Sequence, residues 1–487
     1  LLASSAASDV YKRQVAALAG GNTVILKPAT VAAPVAWLFA QAFWDAGVPK
    51  EALQVIITDR DALKVLTSAP AIKHIILTGG TDTAQNIARS NPSTPLSAET
   101  GGKNAIILTA SGDRDHAIMN VVASAFGNAG QKCSACSLLL VERSVYEDKN
   151  FREKLKDAAT SMKVGSVWNP GNVVGPMITN GNDKLLKALE LEQGESWLVP
   201  PQFLDKNKYV LAPTVKWGVR PGSYSFRTEL FGPMLSVVCI ENLQQGIELV
   251  NSLDYGLTSG LQSLDEEEQR LWKNSIMAGN LYINRGITGA IVNRQPFGGM
   301  KLSAFGGGVK AGGPNYCACF VKISDKPGST TDYKQSYPKA YEQEFAHARD
   351  INNLYGEQNV FRYLPLRNMV LRLFPGDTNE DAQMIAFAAK ICHTPLTISF
   401  EPGDDRTTAL ASLGCSLKKE SLQEFLKSMS EYERIRTCGV DIPMEMYEEA
   451  ARTDKYIATA KPVKNGRVEL IPVSYTHLRA HETLRHL

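Results

Sequence analysis

The sequence predicts an α/β protein: a parallel sheet covered by helices on both faces, followed by a second, smaller α/β unit. Three observations carry this reading. At 487 residues the chain exceeds one ordinary hydrophobic core, so two or three domains are expected. From Gly21 onward, short β-branched runs alternate with amphipathic segments, the β-α-β-α signature of a parallel sheet. Near residues 325–340 this alternation stops in a polar, proline-bearing stretch and then resumes.

In order, NTVILK reads as a strand, and Pro34–Ala46 as a helix that stops at Gly47 with Pro49 just beyond. LQVIIT reads as a strand, DALKVL as a short helix, KHIILT as a strand and TDTAQNIARS as a helix. SAET and NAIIL continue as strands, Asp113–Phe126 as a helix, SLLLVE as a strand and YEDKNFREKLKDAATSM as a further helix. SDKPGSTTDYKQSYP has no periodicity and reads as a linker. Beyond it, NMVLRLF and TPLTISF read as strands around a helix over NEDAQMIAFAAKIC, and ESLQEFLKSMSEYERIR reads as helical.

Composition narrows the function classes. Basic and acidic side chains nearly balance, 52 against 50, and no basic run stands out, so a nucleic-acid partner has no electrostatic basis in this segment. No apolar stretch approaches the ~18 residues of a membrane-spanning helix. Eight cysteines in this length suit free thiols in a reducing cytoplasm better than a disulfide framework. Residues 1–14 and 474–487 match no pattern continuing into their neighbours and resemble translated adapter sequence, so both are set outside the fold. That exclusion removes His477, His481 and His486 from any metal reading.

Several residues carry chemistry by type and order. Glu99 stands at a strand end before Gly101 and Gly102, where glycines let backbone approach a ligand closely. Cys133 follows in the glycine-bearing loop AGQKCSACS, with Cys136 three residues on, and RTELFGP brings Glu229 and Phe231. Earlier, ILKPAT holds Lys27, and Gly79 and Gly80 stand at a strand-to-helix turn. Taken singly, these read more readily as a buried thiol, a solvated carboxylate, a turn and a strand-end lysine. Together, a thiol, a carboxylate and a glycine-rich helix start make an acyl-transfer site beside a dinucleotide.

The ordered set resembles the aldehyde dehydrogenase superfamily from about residue 15 to 322. AETGGKNA, AFGNAGQKCSACS, RTELFGPMLSV, TGAIVNRQPFGG and KAGGPNY resemble, more closely, the glutamate-semialdehyde (1-pyrroline-5-carboxylate) dehydrogenase module of the bifunctional proline utilization A family. The segment from about 355 to 473 resembles the C-terminal domain of that family's longer members, a degenerate aldehyde-dehydrogenase-like fold. The resemblance implies a Rossmann-like cofactor domain, an α/β catalytic domain, and NAD-dependent oxidation of glutamate semialdehyde to glutamate, the second step of proline catabolism. Cys133 is then the nucleophile that forms a thiohemiacetal and, after hydride loss to NAD, a thioester. Glu99 is the base that activates the hydrolytic water. Lys27 is implied on the adenosine ribose, Gly79 and Gly80 on the pyrophosphate, Glu229 on the nicotinamide ribose, and Phe231 beside the nicotinamide. Ser134, Gly289 and Ala290 are implied to anchor the substrate carboxylate, with Phe297 as a wall against its aliphatic chain.

On this reading Cys136 is a bystander. A metal clip lacks two further ligands at suitable spacing, so no metal is expected. A redox pair would open a helix, whereas here a hydrophobic strand follows. The resemblance further implies an upstream flavin-dependent (FAD) proline dehydrogenase module, a bacterial cytoplasmic location peripheral to the membrane through that module, and an interface element suited to a homo-oligomer around KAGGPNY and the strand-like CACFVKI. The expected divisions are a cofactor part at 15–97, a catalytic domain at 98–293, a return and interface segment at 294–324, a linker at 325–354 and a C-terminal domain at 355–473. Two departures stand out. The family's oxyanion-hole Asn has no counterpart in residues 1–21, and Thr30 stands where NAD-preferring relatives often carry Glu, which leaves NADP open. The rival readings are another aldehyde dehydrogenase substrate, an acylating coenzyme A variant, and a non-catalytic scaffold. Glu99 and the carboxylate anchor argue against the first two.

Overall fold

The computed structural model describes residues 13–289, 294–404, 406, 410–439 and 441–482. Its centre is a ten-stranded sheet. The strand at Asn104–Leu108 pairs in parallel with Cys136–Glu142 on one side and Thr258–Gln262 on the other. Outward from the first lie Met234–Ile240, Thr214–Trp217 and the antiparallel edge Ser196–Val199. Outward from the second lie Asn280–Ile283, Ser474–Glu482, Glu357–Pro365 and Arg349–Asp350.

Alternation along these strands builds two cores. Ile106 and Leu108, with Leu139, Val141 and Val237, pack on one face under the helix Arg114–Phe126. Ala105 and Ile107, with Leu138, Leu140 and Val238, pack on the other against Trp272. Successive strand side chains point to opposite faces, and helices cover both, so the strands read as continuous apolar runs.

The cofactor-side segment also forms parallel pairs, but in two separate sheets. Val24–Leu26 pairs with Leu53–Val55, while Ile75–Thr78 pairs with Leu96–Glu99, which also takes Ala304–Phe305 antiparallel. The helices predicted over 34–46, 61–66 and 81–90 form at Ala33–Asp45, Arg60–Thr67 and Thr81–Ser90.

Beyond residue 345 a second sheet has five parallel strands. Its order is Ser416–Lys419, Leu396–Phe400, Met369–Arg372, Arg434–Arg436 and Ile457–Ala458. This is the 3-2-1-4-5 part of the 3-2-1-4-5-6 order of a doubly wound sheet. Its faces are packed separately, with Met369, Leu371 and Ile398 on one and Val370 and Ile435 on the other. It meets the first part of the chain through Gln85 on Asp454 and Arg434 on the Gly307 carbonyl, while Arg285 and Arg294 pair with Glu357 within the large sheet.

Four sequence expectations are corrected. The linker contains a helix at Tyr333–Ala340, held because Tyr337 is buried and its hydroxyl donates to the Val463 carbonyl at 2.7 Å. The helix over 420–436 ends at Ser428, and Arg434–Arg436 is a central strand whose arginines are buried against paired acceptors. CACFVKI opens with a 3-10 turn at Cys317–Phe320 rather than a strand. The excluded ends also enter the fold. Arg13 and Gln14 are buried, with Arg13 donating to the Leu77 carbonyl at 2.9 Å, and Ser474–Glu482 is a strand between Asn280–Ile283 and Glu357–Pro365. Strand pairing is made by main-chain groups, so a segment without an apolar pattern can still fill a gap between two strands.

Candidate active site

The strand Leu96–Glu99 ends the cofactor-side sheet, and Asn104–Leu108 opens the large one, so Thr100–Lys103 is the crossing between them. The glycines there are dictated by contact. A Cβ on Gly101 would lie 2.1 Å from Glu229 Oε2, and one on Gly102 would lie 2.8 Å from the Cys133 carbonyl oxygen. No side chain larger than hydrogen fits at either place. The Glu229 carboxylate accepts the Gly102 amide at 2.8 Å, and burial pushes its carboxyl above the usual carboxylate range.

Cys133 is half-buried on the loop that precedes the strand Cys136–Glu142. Its loop is clamped by Asn104, whose side-chain amide donates to the carbonyls of Cys133 (2.7 Å) and Ala135 (3.0 Å) and whose Oδ1 accepts the Thr258 amide (3.0 Å). Ahead of the thiol the backbone turns through left-handed Asn128, Ala129 and Gly130, with φ of 58°, 53° and 65°. Non-glycine residues in that region are strained and cluster at functional sites. Gln131 braces the loop by donating to the Phe231 carbonyl at 3.3 Å and accepting the Ile178 amide at 2.9 Å. Ser134 is buried, and its carbonyl accepts the Thr258 hydroxyl at 3.5 Å. Cys136 is fully buried in its strand, donates to the Leu138 carbonyl, and is pushed by desolvation up to about 12. It is packing, not a reactive thiol.

Glu99 accepts the Gly299 amide through Oε2 at 3.1 Å. That amide belongs to the turn after Phe297, which is buried and pairs both ways with Ala311 at 3.0 and 2.9 Å. Gly289 takes a φ of +99°, and its carbonyl accepts the Tyr282 hydroxyl at 3.2 Å. Desolvation, with a smaller contribution from Cys133 nearby, raises the Tyr282 phenol. Ala290 lies outside the described residues. Thus Glu99, Cys133, Ser134, Glu229, Phe231, Gly289 and Phe297 are tied into one region by hydrogen bonds and packing.

The cofactor residues divide. Gly80 caps the helix Thr81–Ser90 without a side chain, and a Cβ there would meet open space. An open helix N-terminus of this kind fits an anionic phosphate group. Gly79 differs from its expected role, because its amide is already donated to the Glu99 carbonyl at 3.2 Å and closes the sheet instead. Lys27 is half-buried just after the strand Val24–Leu26 and sits with that separate pair. Phe231 holds a left-handed φ of 51° and is 40% exposed, as a ring offered to a ligand requires. Sequence reasoning missed Asn104, Gln131, Tyr282 and Lys310. Asn104, Gln131 and Lys310 stood inside quoted motifs, and a polar residue at the start of a wholly apolar strand was the readable signal for the first.

A thiol loop and a carboxylate at the seam between a dinucleotide-type sheet and a large parallel sheet define the class of protein. The chain belongs to the aldehyde dehydrogenase family, whose profile matches residues 9–325. It is 34% identical over 313 residues to the 1-pyrroline-5-carboxylate dehydrogenase of Geobacillus thermodenitrificans (strain NG80-2), covering 62% of this chain and 60% of that protein. The Bacillus subtilis (strain 168) enzyme of the same name is 33% identical over the same shares. Among solved structures, proline utilization A from Corynebacterium freiburgense superposes with a TM-score of 0.84 at 35% identity, over 97% of this chain and 48% of that one. A Thermus 1-pyrroline-5-carboxylate dehydrogenase with bound NAD superposes with a TM-score of 0.58 at 33% identity, over 62% and 59%. The chain therefore spans about half to three-fifths of the length of these relatives.

Proposed function

We propose that this chain oxidises L-glutamate γ-semialdehyde to L-glutamate with NAD, as the aldehyde-oxidising part of a proline-catabolic enzyme. The observation that carries the reading is the clamped Cys133 loop joined through Gly101 and Gly102 to Glu99, in a chain whose relatives bear the name 1-pyrroline-5-carboxylate dehydrogenase. The Cys133 thiolate attacks the aldehyde carbon, and a water activated by Glu99 releases the acid from the resulting thioester. NAD supplies the hydride acceptor when bound. Lys27, the helix N-terminus at Gly80, Glu229 and Phe231 are the residues that would hold it. Ser134, Gly289, Ala290 and Phe297 are assigned to the substrate, the first three to its carboxylate and the last to its chain.

The domain divisions given above, a flavin (FAD) proline dehydrogenase module preceding this segment, and a cytoplasmic location belong to the same proposal. All eight cysteines are free thiols, and no described helix is long and apolar enough to cross a membrane. The test follows NADH formation by the chain with the semialdehyde and with a simple uncharged aldehyde, using Cys133→Ala as control. A Cys133-dependent signal selective for the semialdehyde supports the reading. Silence that persists when a family-like N-terminal segment is joined to the chain would overturn it and leave the scaffold reading.

A further inference from the structure

Lys310 lies in KAGGPNY, a motif to which the reaction above gives no task, and it is 2% exposed. A lysine is almost never buried without a partner that compensates for its lost hydration. Its ammonium nitrogen lies against the Gly298 carbonyl (2.5 Å) and Asn280 Oδ1 (3.2 Å), and the same Asn280 oxygen accepts the Gly298 amide (3.2 Å). Both contacts are neutral. The charged group that acts on Lys310 is Glu99.

The turn at Gly298 and Gly299 brings the two together. A Cβ on Gly298 would lie 3.1 Å from Glu99 Oε1 and 3.2 Å from Lys310 Cγ, so the bare glycine is the shared wall between carboxylate and lysine. Gly299 then holds the other carboxylate oxygen. On the Glu99 side of the pair is a cavity of about 30 Å³, enough for a water, lined by Glu99, Gly298, Gly299 and Val309. Arg13, Tyr316 and Cys319 are the other titratable groups on its wall.

We propose that Lys310 is the proton partner of Glu99, so that carboxylate and amine act as one acid–base unit in the hydrolytic step. The inference rests on the reading of Glu99 as the base. Glu99 takes a proton as the water O–H bond breaks, hydroxide adds to the thioester carbon, and the C–S bond breaks to return the Cys133 thiolate. The proton on Glu99 then passes to the neutral Lys310 amine, giving an ammonium and restoring the carboxylate. The ammonium later returns the proton through Glu99, the member of the pair that lines the cavity, to water there. Desolvation, opposed by the Glu99 charge, brings the Lys310 amine down to about 7, where both of its states are populated near neutral pH.

The test uses the whole chain with 13Cε-labelled lysine, the Lys310 resonance being assigned by its loss in Lys310→Met. The expected result is a titration midpoint near neutrality that falls by roughly half a pH unit or more in Glu99→Gln, which keeps the shape and removes the charge. A midpoint in the ordinary lysine range, or one that Glu99→Gln leaves in place, would overturn the pairing. In turnover assays Lys310→Met and Lys310→Arg are expected to keep the first-turnover burst of NADH and to slow the steady state roughly 10-fold or more. Arginine carries the charge but cannot release its proton, so full rescue by Lys310→Arg would reduce Lys310 to a fixed charge and sink the proton role. A Glu99→Gln chain that hydrolyses at the unaltered rate would instead defeat the reading of Glu99 itself, a result separable from the titration.

Discussion

Asn104 donates to the carbonyl of Cys133 at 2.7 Å, so the first residue of a core strand holds the loop that presents the thiol. The same side chain satisfies Ala135 and Thr258, and it is 2% exposed. Asn104→Ala would leave two carbonyls and an amide buried without that partner, at about 1–3 kcal/mol for each unsatisfied group. The expected loss is about 3 kcal/mol or more in urea unfolding, with a changed alkylation rate at Cys133. A loss below about 1 kcal/mol would show that the clamp is replaceable.

The two cysteines of the CxxC sequence should separate in a labelling experiment. At pH 8, iodoacetamide should modify Cys133 and the exposed Cys317, while Cys136, buried and pushed up to about 12, stays unlabelled until the chain unfolds. Peptide mass spectrometry reads this directly. Equal labelling of Cys136 and Cys133 in the native chain would contradict the assignment of a bystander.

Gly130 combines a φ of +65° with a close approach: a Cβ there would lie 2.2 Å from the Gly232 carbonyl oxygen. Gly47 has a φ of +97° but open space around it. Gly47→Ala should therefore cost the backbone penalty alone, about 1–2 kcal/mol. Gly130→Ala should cost clearly more, because the loop must also move off the Phe231–Gly232 turn. Thermal unfolding of the two variants side by side tests the ordering.

Lys103 is buried beneath Glu229 and Ser137, and desolvation brings its amine down to about 7. Between about 7 and the ordinary lysine value of 10.5, the unfolded chain holds a proton that the folded chain lacks. Stability contributed by this group therefore rises with pH through that window and is lowest below it. Lys103→Met should flatten the profile by up to about 1.4 kcal/mol per pH unit. Chemical unfolding at pH 6, 8 and 9.5 checks it, and an unchanged slope would mean that Lys103 stays charged in the fold.

Much of this was legible in the sequence where a strand or helix is apolar on a face. The runs at Asn104–Leu108 and Cys136–Glu142, and the helix Arg114–Phe126, stand where their patterns put them. The thiol loop was legible because its glycine and its order relative to Glu99 are properties of the chain itself. Reading failed where burial is polar. Arg434 and Arg436 look like solvated helix positions, yet Arg436 is buried in a pair with Glu469 at 2.9 Å, and Arg434 stacks on Tyr456. Tyr337 anchors a helix inside a segment whose composition reads as linker. The partners that make such burial tolerable lie far away in sequence, and no local pattern announces them.

Five peptide bonds run from Glu99, which closes one sheet, to Asn104, which opens the next and grips the thiol loop. That short span works as a gauge. An inserted residue there would shift the phase of a whole sheet relative to its neighbour, since side chains alternate with every residue. Length should therefore be far less negotiable across Thr100–Lys103 than in the exposed stretch at 326–331, even though both are written in small and polar residues. The gauge also means that any rocking of one sheet against the other is felt at once by both Glu99 and the Cys133 loop, so rigidity at this seam keeps the carboxylate and the thiol in register.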